Sequence, residues 1–182
     1  MQETIGFQGI LRLRELPEEW SHADYLKYWC GERDEQGRMV TLPIITEREK
    51  ERYTVVEAHN QLTVNGRAAI LGYMGSSSGS TTPFGSYLAI GTGALQATSP
   101  TDTSLVYEVF RKAQSAYTPQ GSQVDINFQL TSGNAQVTMT EAGLFGGSAS
   151  GTIGSGTLDT HVLFAFTKGA FSISADYLIN LI

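Results

Sequence analysis

The stretch Val124-Asp125-Ile126-Asn127-Phe128-Gln129-Leu130 places an apolar residue at every even position and a polar one between each pair. A repeat of two is the pattern of a strand with one buried face. The same pattern continues downstream. Ser132-Gly133-Asn134 turns the chain, Val137-Thr138-Met139-Thr140 reads as a strand, and Ala142-Gly143-Leu144-Phe145 extends it less regularly. A Gly/Ser loop from Gly146 to Gly156 leads to His161–Thr167, apolar enough for a central strand. From Phe171 the residues Ile173, Ala175, Tyr177, Ile179 and Leu181 alternate again. Several such strands in succession predict a mainly β fold, an antiparallel β-sandwich or jelly-roll-like module.

Upstream of this stretch the period changes. Ser99 can cap a helix, Pro100 suits its first turn, and Asp102 would sit at its positive end. Leu105 and Val109, like Val106 and Phe110, are four apart, and Arg111 and Lys112 fall at the negative end. These signals predict one short amphipathic helix over Ser99–Lys112. Before it, Tyr87–Ile90 reads as a short buried strand closed by Gly91-Thr92-Gly93. Arg67–Met74 reads as two helical turns, Gly75–Pro83 as a surface loop, and Asn65-Gly66 as a turn.

The first third mixes patterns. Ile10–Arg14 suits a short strand. A helix starts at Pro17, or at Ser21 with Asp24, and closes at Gly31. Asp34–Arg38 reads as a turn, and Met39–Ile45 as an edge or irregular strand because of Pro43. Glu47–Arg52 alternates in sign and reads as a solvated face, followed by a strand from Tyr53. Trp20, Tyr25, Tyr28 and Trp29 cluster in this part. Tyr25 and Trp29 share a helix face, as expected of a satellite core or of a partner-docking patch. All four are the candidate docking residues.

Charge divides the chain. Of 30 Asp, Glu, Lys and Arg residues, 21 lie in Met1–Arg67. The 115 residues from Ala68 onward carry nine: Asp102, Glu108, Arg111, Lys112, Asp125, Glu141, Asp159, Lys168 and Asp176. An ordinary domain carries about a quarter of its residues as charge. The expected organisation is therefore a charged, aromatic docking segment over 1–66 and a low-charge β-sandwich module over 67–182, its outer faces meeting other subunits. The net charge of −6 argues against nucleic acid, which demands clustered Lys and Arg. No run is apolar enough for a bilayer, and the N-terminus lacks the character of a signal peptide. Cys30 is the single cysteine and is expected to be a small buried hydrophobe.

No catalytic constellation emerges. His22, His59 and His161 lack partners at metal-ligand spacing, so no metal or cofactor is expected. His161, beside Asp159, reads as a packed histidine. No serine sits in a Gly-x-Ser-x-Gly elbow. Gly151–Gly156 lacks the lysine of a phosphate-binding loop and reads as a linker between strands. Glu141 and Asp159 form only a weak candidate for a pair of glycosidase carboxylates.

Leu62–Leu71, then Tyr87-Leu88-Ala89-Ile90-Gly91-Thr92-Gly93, the Ser99–Lys112 segment, Thr140-Glu141-Ala142-Gly143-Leu144-Phe145 and Phe166-Thr167-Lys168-Gly169 follow in a set order. That order resembles a family of tailed-bacteriophage structural proteins, in layout the N-terminal domain that attaches tail fibres to a baseplate. The likeness spans roughly Val55–Ile182. It implies a non-enzymatic virion component, made in the host bacterial cytoplasm. Such a protein associates with itself, as a homotrimer, and with other virion proteins of the tail or capsid, and needs no cofactor, nucleic acid or membrane. The chain departs from the fibre pattern in having no shaft or tip after the module and a longer charged start. An adaptor role in the tail or baseplate therefore leads. Capsid decoration (cement) is the alternative, and a carbohydrate-binding module using Trp20 and Trp29 a third reading.

Overall fold

The computed structural model describes residues 7–31, 34, 43–75, 83–94 and 96–182. Nine strands are formed: β1 (Phe7–Glu15), β2 (Thr54–Leu62), β3 (Tyr87–Gly91), β4 (Glu108–Ala113), β5 (Ala116–Gln120), β6 (Gln123–Leu130), β7 (Thr138–Gly146), β8 (Thr157–Thr167) and β9 (Ile173–Leu181). All pair antiparallel in one sheet of order β4-β3-β7-β8-β2-β1-β9-β6-β5. The fold is mainly β, as the alternating pattern predicts.

The middle of the sheet is its weakest seam, because β2 pairs with β8 only at Gln61 and Leu62. There the sheet curls over, and its two halves share one core. Leu11, Leu13, Ile126, Phe128 and Tyr177 come from one half; Leu88, Ile90, Leu144 and Val162 come from the other. The two edges are linked by the chain itself. β4 runs into β5 through a corner whose Gln114 amide donates to Ser86 O (3.1 Å) and whose Ser115 amide donates to Asn127 O (2.7 Å).

The boundary expected at residue 66 does not hold. β1 lies between β2 and β9, paired on both sides, and Leu11 and Leu13 are fully buried. Residues assigned to a docking segment thus supply two interior strands. Their alternation is as good a strand signal as that of β6, but the surrounding charge obscures it.

The Ser99–Lys112 helix is also corrected. Ser99–Asp102 is a hydrogen-bonded turn in which the Ser99 amide donates to Asp102 Oδ2 (2.8 Å), and Glu108–Ala113 is strand β4. Spacings of four fit a helix, yet Val106, Tyr107, Val109 and Phe110 are β-branched or aromatic and suit a pleated edge. Asn65-Gly66 is likewise not a turn but the start of helix α3 (Val64–Gly75, after the short helices α1, His22–Asp24, and α2, Glu47–Lys50). Thr63 caps it, its hydroxyl accepting from the Gly66 amide (3.0 Å). Gly66 is glycine because a Cβ would collide with the Asp159 backbone on β8.

The N-terminal helix begins at Ser21, which exchanges capping bonds with Asp24, and passes into a π-helical turn, Tyr25–Cys30. Gly31 ends it with φ 81°, a conformation that favours glycine. Of Glu47–Arg52, Glu47–Lys50 is helix α2 and the rest enters a short 3-10 turn; Lys50 is buried, its ammonium 5.2 Å from the Trp29 ring centre. Beyond Asp34, the turn predicted over Asp34–Arg38 lies outside the described residues, as does most of the Met39–Ile45 strand. So does nearly all of the Gly75–Pro83 loop. Pro43–Ile45 is not a strand.

Candidate functional site

Two polar clusters organise the described residues, one on each half of the sheet. The first lies on the outer face of β6 and β9. Its polar residues Asp125, Asn127, Gln129, Ser174 and Asp176 are all buried. The segment around α1 and the π turn, with α2 behind it, covers them. Asp176 is the hub. Its Oδ2 accepts from Arg14 Nη1 (2.5 Å) and Trp29 Nε1 (3.4 Å); its Oδ1 accepts from Asn127 Nδ2 (2.9 Å) and from the Ser174 hydroxyl. A buried pair of this kind needs these further bonds to repay its desolvation. Burial also pushes the Cys30 thiol up to about 12 and the Tyr25 hydroxyl well above its usual range, which leaves both protonated and inert.

This cover places the four aromatic candidates. Tyr25 and Trp29 are fully buried, in a satellite core with Leu16, Cys30 and Ala116. In this structure neither exposes a surface to a partner. Trp20 and Tyr28 are half-buried and pack on each other, ring centres 5.5 Å apart.

The second cluster gathers residues far apart in sequence. β3 ends at Gly91, opposite Glu141 of β7. His161 of β8 faces Gly143, so Glu141 and His161 are diagonal neighbours on one face. His161 Nε2 lies 3.0 Å from Glu141 Oε2, and its Nδ1 lies 2.7 Å from Asp102 Oδ2. Both nitrogens donate when the ring is in its imidazolium form. Burial pulls the Asp102 carboxyl up, but the Ser99 amide and His161 outweigh that and hold it below its usual range. Glu141 also accepts from the Val106 amide (2.9 Å) and the Tyr107 amide (2.8 Å). Thr140 donates its hydroxyl to Gly93 O (2.7 Å). A side chain at Gly91 would occupy the space of the Glu141 carboxylate, and one at Gly93 would meet Val106 at 2.6 Å. The Gly91-Thr92-Gly93 and Thr140-Glu141 motifs are thus two halves of one clamp.

Chemically, this clamp holds a backbone rather than a substrate. The imidazole stands between its two acids, and among the described residues no group of three or more His, Cys, Asp and Glu could hold a metal. Glu141 and Asp159 do not form a carboxylate pair: Asp159 accepts from the Gly85 amide (2.9 Å) beneath a different loop. What the clamp fixes is the Val106–Tyr107 peptide, whose side chains project into solvent, Tyr107 65% exposed and Val106 48%. Beside it the Gly154 amide donates to Glu108 Oε2 (3.2 Å), which brings the loop of exposed Ile153 alongside. Glu108 itself pairs with Arg111.

At the other end of the β3–β4 ribbon is a groove of about 600 Å³, lined among others by Phe7, Phe84, Val124, Ile179 and Leu181, with no charged residue among the described residues of its walls. None of the nine charges from Ala68 onward is exposed: Arg111, Asp125, Glu141, Asp159, Lys168 and Asp176 are buried, and Asp102, Glu108 and Lys112 half-buried. Sequence reasoning missed His161, Asp102 and Asp176 as organising residues. The available signal was rarity, since a charge kept in so uncharged a stretch has an internal partner to satisfy.

Among the described residues, no helix is long and apolar enough to cross a membrane. No family model, curated protein or solved structure matches the chain.

Proposed function

We propose that this chain is a non-enzymatic structural component of a tailed-phage virion, a tail or baseplate adaptor or fibre-attachment protein. It acts through contacts with copies of itself, as a homotrimer, and with neighbouring virion proteins. One observation carries the reading: no charged side chain from Ala68 to Ile182 is fully exposed and six of the nine are buried, while exposed charges such as Glu18, Lys27, Arg48 and Glu57 sit on the earlier part. A free-standing surface gains solubility from charge, whereas the centre of a protein interface is depleted of it. The clamp supports the same reading, because buried polar groups there hold a surface loop in one shape and leave no open site for chemistry.

Imaging of particles assembled without this chain tests the proposal. The expected result is intact heads on tails that lack their fibres. Bare or fragile heads would move the protein to capsid decoration. Particles normal in every part, with the chain absent from purified wild-type particles, would overturn a virion role.

A further inference from the structure

We infer that copies of this chain join head to tail, the Val106–Tyr107 projection of one copy entering the groove between Phe84, Val124 and Leu181 of the next. The inference deepens the assembly reading above by naming the contact. Three observations carry it.

First, the projection is preorganised. Tyr107 is the most exposed aromatic side chain among the described residues, yet its amide and that of Val106 are fixed by both oxygens of the buried Glu141 carboxylate. Glu141 is in turn held by His161, and His161 by Asp102. A large apolar side chain on a rigid backbone loses little entropy on docking, the property of an interface anchor.

Second, the receptor is on the same chain. At about 600 Å³ the groove lies within the ~300–1,000 Å³ range of ligand-sized pockets, enough for a tyrosine and its flanking valine. Its rim carries Leu181, 40% exposed, and the neighbouring Ile182 is 68% exposed. Projection and groove lie at opposite ends of one ribbon: Glu108 of β4 pairs with Gly91 at the end of β3, and Gln114, a groove residue, bonds Ser86 before its start. An anchor at one end and its socket at the other make a heterologous contact, which closes into a ring when the rotation allows.

Third, the charges select a copy of the same chain. The whole chain carries −6, so two copies repel through most approaches. Among the described residues the groove walls hold no charge, and of the charges beside the projection Glu108 and Arg111 neutralise each other while Glu141 is buried beneath it and bonded to His161. These are the surfaces on which copies can meet without that repulsion.

The test is sedimentation of the purified chain at tens of micromolar, with Tyr107→Glu and Leu181→Glu prepared separately. Both positions are exposed, and unchanged melting curves check that the variants are folded. Wild type is expected to sediment as an oligomer, and each variant as a monomer, its self-association weakened about 100-fold or more. The mixture is the decisive sample. A Leu181→Glu chain keeps its projection and a Tyr107→Glu chain keeps its groove, so the two together form a one-to-one dimer that neither forms alone. A monomeric wild type overturns the contact, as does an oligomer that survives either substitution or a mixture that stays monomeric. A monomeric wild type would also remove the homotrimer of the proposed function, whereas an oligomer that survives either substitution overturns this contact alone and leaves that reading standing. Presence in particles is tested separately by the imaging above.

Discussion

Glu141 stands opposite Gly91 in the β3–β7 ladder, and its carboxylate fills the volume that a side chain at Gly91 would need. Two short motifs some fifty positions apart in the chain are thereby one physical object. The glycines exist for the acid, and the acid for the loop beyond them.

Gly93→Ala should therefore destabilise the protein by about 1–3 kcal/mol, the usual cost of overpacking, because the new methyl meets Val106. Gly151→Ala is the control, since nothing lies within 4 Å of a Cβ there, and it should stay within roughly 0.5 kcal/mol of wild type. Urea midpoints measure both. Equal effects at the two positions would remove the steric account of the motif.

Glu141→Ala strands two amides and one face of His161. The expected loss is on the order of 3–5 kcal/mol, as for a buried pair stripped of one partner. Amide exchange at Val106 and Tyr107 should accelerate more than exchange at the core residues Leu88 and Ile126. Unchanged exchange at those two amides would show that the loop is held by something else.

Asp176→Ala should release the N-terminal cover in the same way, since Arg14, Asn127, Ser174 and Trp29 all bond to this carboxylate. Trp29 fluorescence should shift to the red under conditions where the β-sheet signal persists. If the sheet and the tryptophan are lost together at every denaturant concentration, the cover is inseparable from the core.

Asp159 gives the fold a pH dependence of calculable sign. Burial raises its carboxyl to about 7, against the pull of the Gly85 amide, whereas an unfolded aspartate titrates near ~3.9. The folded state holds the proton more tightly. Its stabilising contribution is thus complete below about pH 4 and lost as pH rises through about 7. Asp159→Asn keeps an acceptor for Gly85 and removes the titration. Relative to wild type, the variant should gain on the order of 3 kcal/mol between about pH 4 and about pH 8. A wild-type-to-variant difference that is flat with pH contradicts this.

The strands were legible in the sequence wherever one face alternated cleanly, as in β6 and β9, because period two reports a pleated surface directly. The Ser99–Lys112 segment was not, because Leu105, Val106, Val109 and Phe110 satisfy spacing four and a β edge alike, and the Glu141 carboxylate that decides between them lies on another strand. Asn65-Gly66 misled for a similar reason: the need for glycine came from the close approach of α3 to β8, not from a turn. Covering of the Asp125 and Asn127 face was invisible locally, since their polar character predicts solvent unless the covering segment is known. Tyr25 and Trp29 read as satellite core or as docking patch, and Asp176 and Ser174 beneath them place both in the core.

Hydroxyl-radical footprinting of purified particles of the proposed tailed-phage assembly tests the central claim most directly. The account predicts that Val106, Tyr107 and Ile153 are oxidised far more slowly in the particle than Ile44, an exposed residue of the charged part. Oxidation of all four at the same rate, or particles that contain none of this chain, would contradict it.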